Sequence, residues 1–203
     1  MMEKIQIYNN IISGKQLNQV VECLKDGNVI IIPTDTLYAL ACDALNPKAI
    51  EKVCHLKGIN PEKTNLSILC NNISMVSEYA KFGNYAFKLM KENTPGPFTF
   101  LLRAASSLPR AFKGRKIVGI RIPACEADRA IVESLGNPLL STSIQYDEDD
   151  YGINPELIAE TYEGKIDLAI MGKDGSLIPS TIIDCTGAEP EIIREGIILP
   201  KGI

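Results

Sequence analysis

The chain has 203 residues, 45% apolar and 23% charged, the balance of a soluble globular domain long enough to bury a core. Its formal net charge of −4 argues against a broad electrostatic nucleic-acid surface, and its single histidine against a zinc site or a histidine-based triad. No apolar run is long enough to span a bilayer, the start MMEKIQIYNN lacks the basic and apolar blocks of a signal peptide, and the six cysteines are scattered without CxxC. The expectation is a single cytoplasmic domain over residues 1–203 with reduced thiols and no membrane partner.

Ile5–Tyr8 reads as an edge strand. Ser13-Gly-Lys-Gln16 is a capping-box pattern, and Leu17, Val20, Val21 and Leu24 then recur on one helical face until Gly27. Val29–Ile32 is too short and too β-branched for a helix, so it reads as a buried strand ended by Pro33. Thr34, Asp35 and Thr36 therefore lie just beyond a strand's carboxyl end, where α/β sheets bind ligands. Asn46-Pro47 starts a helix whose inward stripe is Ile50, Val53 and Cys54, ended by Gly58. Lys57 continues that stripe, so its ammonium either snorkels outward or meets an anion.

Leu66–Cys70 is a strand, and Ser74–Ala80 and Asn84–Asn93 are helices, the second packing Ala86, Phe87, Leu89 and Met90. Thr94-Pro-Gly-Pro97 breaks the chain before a strand over Phe98–Leu102. Ile117–Ile122 is a further strand, ended by Pro123. Arg121 inside it needs either a carboxylate partner or a ligand, because a lone buried guanidinium is costly. Asp128–Leu135 reads as a helix packing through Ala130, Ile131, Ser134 and Leu135, capped by Gly136. A strand from Leu139 ends in Ser141, Thr142 and Ser143, and the acidic YDEDDYG that follows reads as a solvated loop. Asn154-Pro155 starts another helix, and Leu168–Met171, Ser180–Asp184 and Ile192–Arg194 are short strands. Strands alternating with helices, some of them strand next to strand, give an α/β class with a mixed sheet.

Several strands thus end in hydroxyls, at Thr34, Thr36, Thr142, Ser143, Ser180 and Thr181, with Lys57, Arg121 and Arg194 as cations. Such groups grip phosphate and carboxylate without covalent chemistry. There is no Walker A motif and no GxGxxG.

The blocks PTDTLYAL, HLKG, TPGPFTFLL, GIRIP, LLSTS, PSTIID and IIREG, in this order from about Ser13 to Ile197, resemble the YrdC family. That resemblance implies a twisted mixed sheet with flanking helices and a deep central cleft. It implies ATP and magnesium in that cleft, and formation of threonylcarbamoyl-adenylate from threonine, bicarbonate and ATP. The product would feed the threonylcarbamoylation machinery that modifies tRNA adenosine. Carried over by motif, Thr34, Thr36, Arg121, Thr142 and Ser180 would contact threonine, with Arg121 on its carboxylate. Lys57, Ser143, Thr181 and Arg194 would face the nucleotide, with Lys57 the catalytic cation.

Three positions depart from the family pattern. Ile59 stands where its KxR element has arginine, Gln145 where its SxN element has asparagine, and the glycine expected two residues later is missing. These marks resemble the YciO branch. They imply a slower synthase or one with another acyl substrate. The alternative they imply is a nucleotide- or double-stranded-RNA-binding protein without turnover.

Overall fold

A computed structural model describes residues 2–60, 66–108, 112, 114–144 and 153–203. The expected α/β class holds: among the described residues, eleven strands form one mixed sheet with helices on both faces. The strands are β1 (Glu3–Gln6), β2 (Ile30–Ile32), β3 (Ala39–Asp43), β4 (Ser67–Leu69), β5 (Ala80–Lys81), β6 (Phe98–Ala104), β7 (Ile117–Arg121), β8 (Leu139–Ser143), β9 (Leu168–Met171), β10 (Thr181–Asp184) and β11 (Glu191–Arg194). Their order is β1-β9-β2-β3-β8-β4-β7-β6-β10-β11, with the short β5 paired to β6.

The helices are α1 (Gly14–Lys25), α2 (Pro47–Lys57), α3 (Ile73–Tyr79), α4 (Asn84–Asn93), α5 (Glu126–Leu135) and α6 (Pro155–Thr161). Their ends follow local chemistry. Ser13 and Gln16 form the full capping box of α1. The Asn46 and Asn154 side chains accept from the first backbone N–H groups of α2 and α6. Gly58 and Gly136 close α2 and α5 in the left-handed conformation, which costs glycine least.

Side chains alternate across each strand, so the two sheet faces are built separately. One face carries Ile31, Ile68, Phe100, Val118, Ile120 and Leu140 against α2, α3, α4 and α6. The opposite face carries Ile30, Ile32, Leu69 and Leu139 under α1 and α5. Farther along that second face the residue types change. Leu139 gives way to Ser141 and Ser143 in β8, and Leu69 to Ser67 in β4.

Four expectations are corrected. First, β3 had no counterpart in the sequence reading. Its ALACD lacks β-branched residues, and its pairing with β2 and β8 makes it a strand. Thr34–Thr36 consequently lies in the loop between two antiparallel strands. Second, α5 begins at Glu126, and its buried face is Ala127, Asp128, Ile131, Val132 and Leu135, with Ser134 exposed. Third, Phe87 is 42% exposed on α4, while Ala86, Leu89 and Met90 pack inward. Fourth, the edge strand β1 starts two residues before the expected span, at Glu3. The YDEDDYG loop and Gln145 lie outside the described residues.

Candidate functional site: a cationic cavity on one sheet face

The change from apolar to small polar side chains leaves a cavity of about 620 Å³ on the part of this second sheet face that lies beyond α1 and α5. Neighbouring strands place the floor residues in register: Leu101 opposite Gly119, Gly119 opposite Ser67, and Ser67 opposite Ser141. Gly119 is small for a reason. A Cβ there would stand 2.7 Å from Ser67 Oγ and 3.4 Å from Thr99 Cγ2. Ile59, Ile117, Ile182 and Ile193 add apolar wall.

Four cations line this space, Lys57, Arg115, Arg121 and Arg194, and no carboxylate does among the described residues. Lys57, at the end of α2, donates from Nζ to the Ser143 carbonyl at 2.8 Å. Its half-burial pushes its pKa below the ordinary lysine value. The Arg194 guanidinium donates to the Ser180 carbonyl from Nη2 at 2.8 Å and Nε at 3.2 Å. Its pKa is lowered by burial first and by the Arg121 charge second, so these two cations repel across the cavity. The Ser180 and Thr99 hydroxyls are 2.8 Å apart.

Arg121 is nearly buried and has a carboxylate partner. Its Nη2 donates to Asp35 Oδ1 at 2.5 Å, with side-chain exposures of 7% and 10%. The same Nη2 reaches Thr36 Oγ1 at 3.2 Å. The loop is built to present these groups. Thr34 Oγ1 donates to the Leu37 carbonyl at 2.6 Å and accepts from the Thr36 N–H at 3.0 Å. The Ala124 N–H donates to Asp35 Oδ2 at 3.1 Å, tying the end of β7 to the same loop. Arg121 therefore has the carboxylate partner its burial requires and also forms part of the cavity wall.

A second hollow of about 600 Å³ opens beside α2, around Val29, Lys48, Lys52 and Lys165. It mixes in Glu51 and Asp167 and contains none of the hydroxyl-tipped strand ends. The cationic cavity is the chemically coherent one.

The family model described as telomere recombination, Sua5/YciO/YrdC, matches residues 22–196. The chain belongs to this family. The Escherichia coli (strain K12) protein YciO, named as uncharacterized, is 38% identical over 184 residues, 89% of each chain. Its crystal structure superposes with a TM-score of 0.88 over 97% of both chains. A Methanocaldococcus jannaschii protein, named as a candidate threonylcarbamoyl-AMP synthase, is 33% identical over 94% of each chain. The crystal structure of P. abyssi Sua5 complexed with L-threonine superposes with a TM-score of 0.84 at 25% identity, covering 97% of this chain and 57% of that one.

In this Sua5/YciO/YrdC chain the cavity brings together Lys57, Arg121, Thr142, Ser143, Ser180 and Arg194. Thr34 and Thr36 stand behind Arg121 and reach the cavity through it. Thr181 is placed differently. It is fully buried, and its hydroxyl donates to the Ile198 carbonyl at 2.5 Å and accepts from the Gly196 N–H at 3.0 Å, which ties down the C-terminal segment. Ile59, where the family's KxR element has arginine, is half-buried on the cavity wall, so that wall is apolar.

The sequence reading missed Ser67, Thr99, Arg115, Gly119 and Ser141 as cavity residues, and Asp35 as the partner of Arg121. One signal for the first group was available. Val118 and Ile120 alternate with Gly119 and Arg121, and Phe98 and Phe100 with Thr99, so small or polar residues recur on one face.

Among the described residues, no helix is long and apolar enough to cross a membrane.

Proposed function

We propose that this chain binds ATP and threonine in the cationic cavity and transfers adenylate to N-carboxy-threonine, giving threonylcarbamoyl-adenylate for the modification of tRNA adenosine. The observation that carries this reading is the convergence of Lys57, Arg121 and Arg194 on one cavity without a lining carboxylate among the described residues. Such a wall favours a ligand with several negative charges. The isoleucines beside it suit the flat, less polar part of a nucleoside. The likeness to a Sua5 crystallised with L-threonine supports the amino-acid half of the reading.

The chemistry asks little covalent work of the protein. The threonine amine nitrogen bonds to the bicarbonate carbon as one C–O bond breaks and water leaves, giving a carbamate. One carbamate oxygen then bonds to the α-phosphorus as the bond to the β-phosphate oxygen breaks, and pyrophosphate leaves. Arg121 holds the threonine carboxylate, with Thr36 and Asp35 fixing its orientation. Lys57 and Arg194 face the phosphates, where charge moves toward the leaving group. The Thr142, Ser143 and Ser180 hydroxyls orient the reactants. A magnesium ion would be held mainly by the triphosphate, with the Thr142, Ser143 and Ser180 hydroxyls as the protein oxygens available to it. Such an ion would supply neutralisation of phosphate charge.

The apolar Ile59 favours a second reading, a nucleotide- or RNA-binding protein without turnover. One experiment separates the two. Purified protein is given ATP, threonine and bicarbonate, and pyrophosphate and threonylcarbamoyl-adenylate are measured beside a synthase whose motifs are complete. Slow, threonine-dependent product formation is expected. ATP binding with no product leaves the binding reading, and a rate equal to the complete synthase contradicts the role given to Ile59.

A further inference from the structure

Asp128 lies on α5, next to the site but outside the groups that line it. It is fully buried at 0% exposure, and neither carboxyl oxygen has a hydrogen-bond partner of ordinary geometry. The Nε of Arg121 is likewise buried and without a partner. Several charged or titratable groups act on Asp128. Asp35 comes from the loop after β2 and Arg121 from the end of β7. Tyr38 lies just before β3, and Cys125 and Arg129 come from the start of α5 itself. Burial is the largest influence, and the Asp35 charge adds to it. Both hold the carboxyl protonated well past the ordinary range, against the pull of Arg121 and, more weakly, of Cys125 and Arg129.

The charges around Arg121 then have a simple sum. Arg121 and Asp35 cancel each other as a pair. A ligand carboxylate arriving at Arg121 adds one negative charge. An ionised Asp128 would add another where water cannot screen it. We propose that Asp128, fully buried beside the Arg121–Asp35 pair with both carboxyl oxygens unpartnered, is a positioning residue that sets how tightly the cavity holds the carboxylate of a small amino acid. This rests on the reading of Arg121 as the carboxylate holder. Linkage makes the effect reciprocal: an amino-acid carboxylate on Arg121 also raises the hold of Asp128 on its proton.

Two measurements test it. In wild-type protein, carbon-detected NMR of the aspartate carboxyls follows Asp128 as pH rises, with Asp128→Asn identifying its signal. Titration far above the ordinary aspartate range is expected, and an ordinary value overturns the proposal without touching the role of Arg121. In the second, L-threonine is titrated calorimetrically into wild type and Asp128→Asn from about pH 5 to about pH 9, the span over which buried carboxyls ionise. Wild-type affinity should fall by roughly fivefold or more as Asp128 ionises, the scale of ordinary coupling between sites. The asparagine variant should follow only the titration of threonine itself. Superimposed profiles overturn the proposal. Absence of threonine binding in both proteins at every pH overturns the Arg121 reading, and this inference with it.

Discussion

Replacing Arg121 by methionine removes the cation but keeps most of the side-chain volume. Asp35, 10% exposed at its side chain, is then left with the Ala124 N–H as its remaining partner at 3.1 Å. Breaking a buried pair from one side costs about 3–5 kcal/mol, because the surviving charge is uncompensated. That is a large share of a typical total of roughly 5–15 kcal/mol. If Asp35 is changed to leucine as well, the stranded charge disappears. What remains is the lost hydrogen bond to Thr36 and the unpaired Ala124 N–H, each worth about 1 kcal/mol. The double variant should therefore lie only about 2 kcal/mol below wild type and above Arg121→Met alone. Urea unfolding of wild type, both single variants and the double variant gives the coupling energy directly. A double variant as unstable as the two losses added would refute the claim that Arg121 and Asp35 form one desolvated pair. Threonine binding should be lost in every variant lacking Arg121, whatever its stability.

Two further outcomes are expected. Gly119→Ala places a methyl carbon 2.7 Å from Ser67 Oγ, so it should cost about 1–3 kcal/mol by overpacking and weaken nucleotide binding. Adding Ser67→Gly should recover much of the stability, read by thermal unfolding. Ile59→Arg installs a guanidinium on the cavity wall; one charge-assisted contact to phosphate is worth about 1.5–3 kcal/mol, so ATP should bind roughly tenfold tighter or better by calorimetry. Unchanged ATP affinity would mean that this wall does not face the phosphates.

Some of this architecture could be read along the chain because its causes are local. The capping box at Ser13 and Gln16 and the Asn-Pro starts of α2 and α6 act within one helical turn, and each is found where the residues place it. The β9 strand runs over Leu168–Met171, as its apolar run indicates. Expectations failed where a neighbour decided. The ALACD stretch becomes a strand through pairing with β2 and β8. The buried face of α5 is rotated from the apolar stripe, because the helix turns Asp128 inward toward Arg121 and leaves Ser134 in water. Phe87 had the right chemistry for the core but stands outside the buried face of α4.

The amino-acid order alone determined which residue types end the strands, hydroxyls and a few cations, and hence that an anion was the ligand to consider. Tertiary structure decided which of them share one space. Lys57 meets the Ser143 carbonyl and Arg121 meets Asp35 across 86 positions of chain each. It likewise decided that Thr181 anchors the C-terminal segment and that Asp128 is sealed from water. The physical reason is range. Caps and turns depend on atoms a few residues apart, whereas burial and the pairing of charges depend on what the sheet brings alongside.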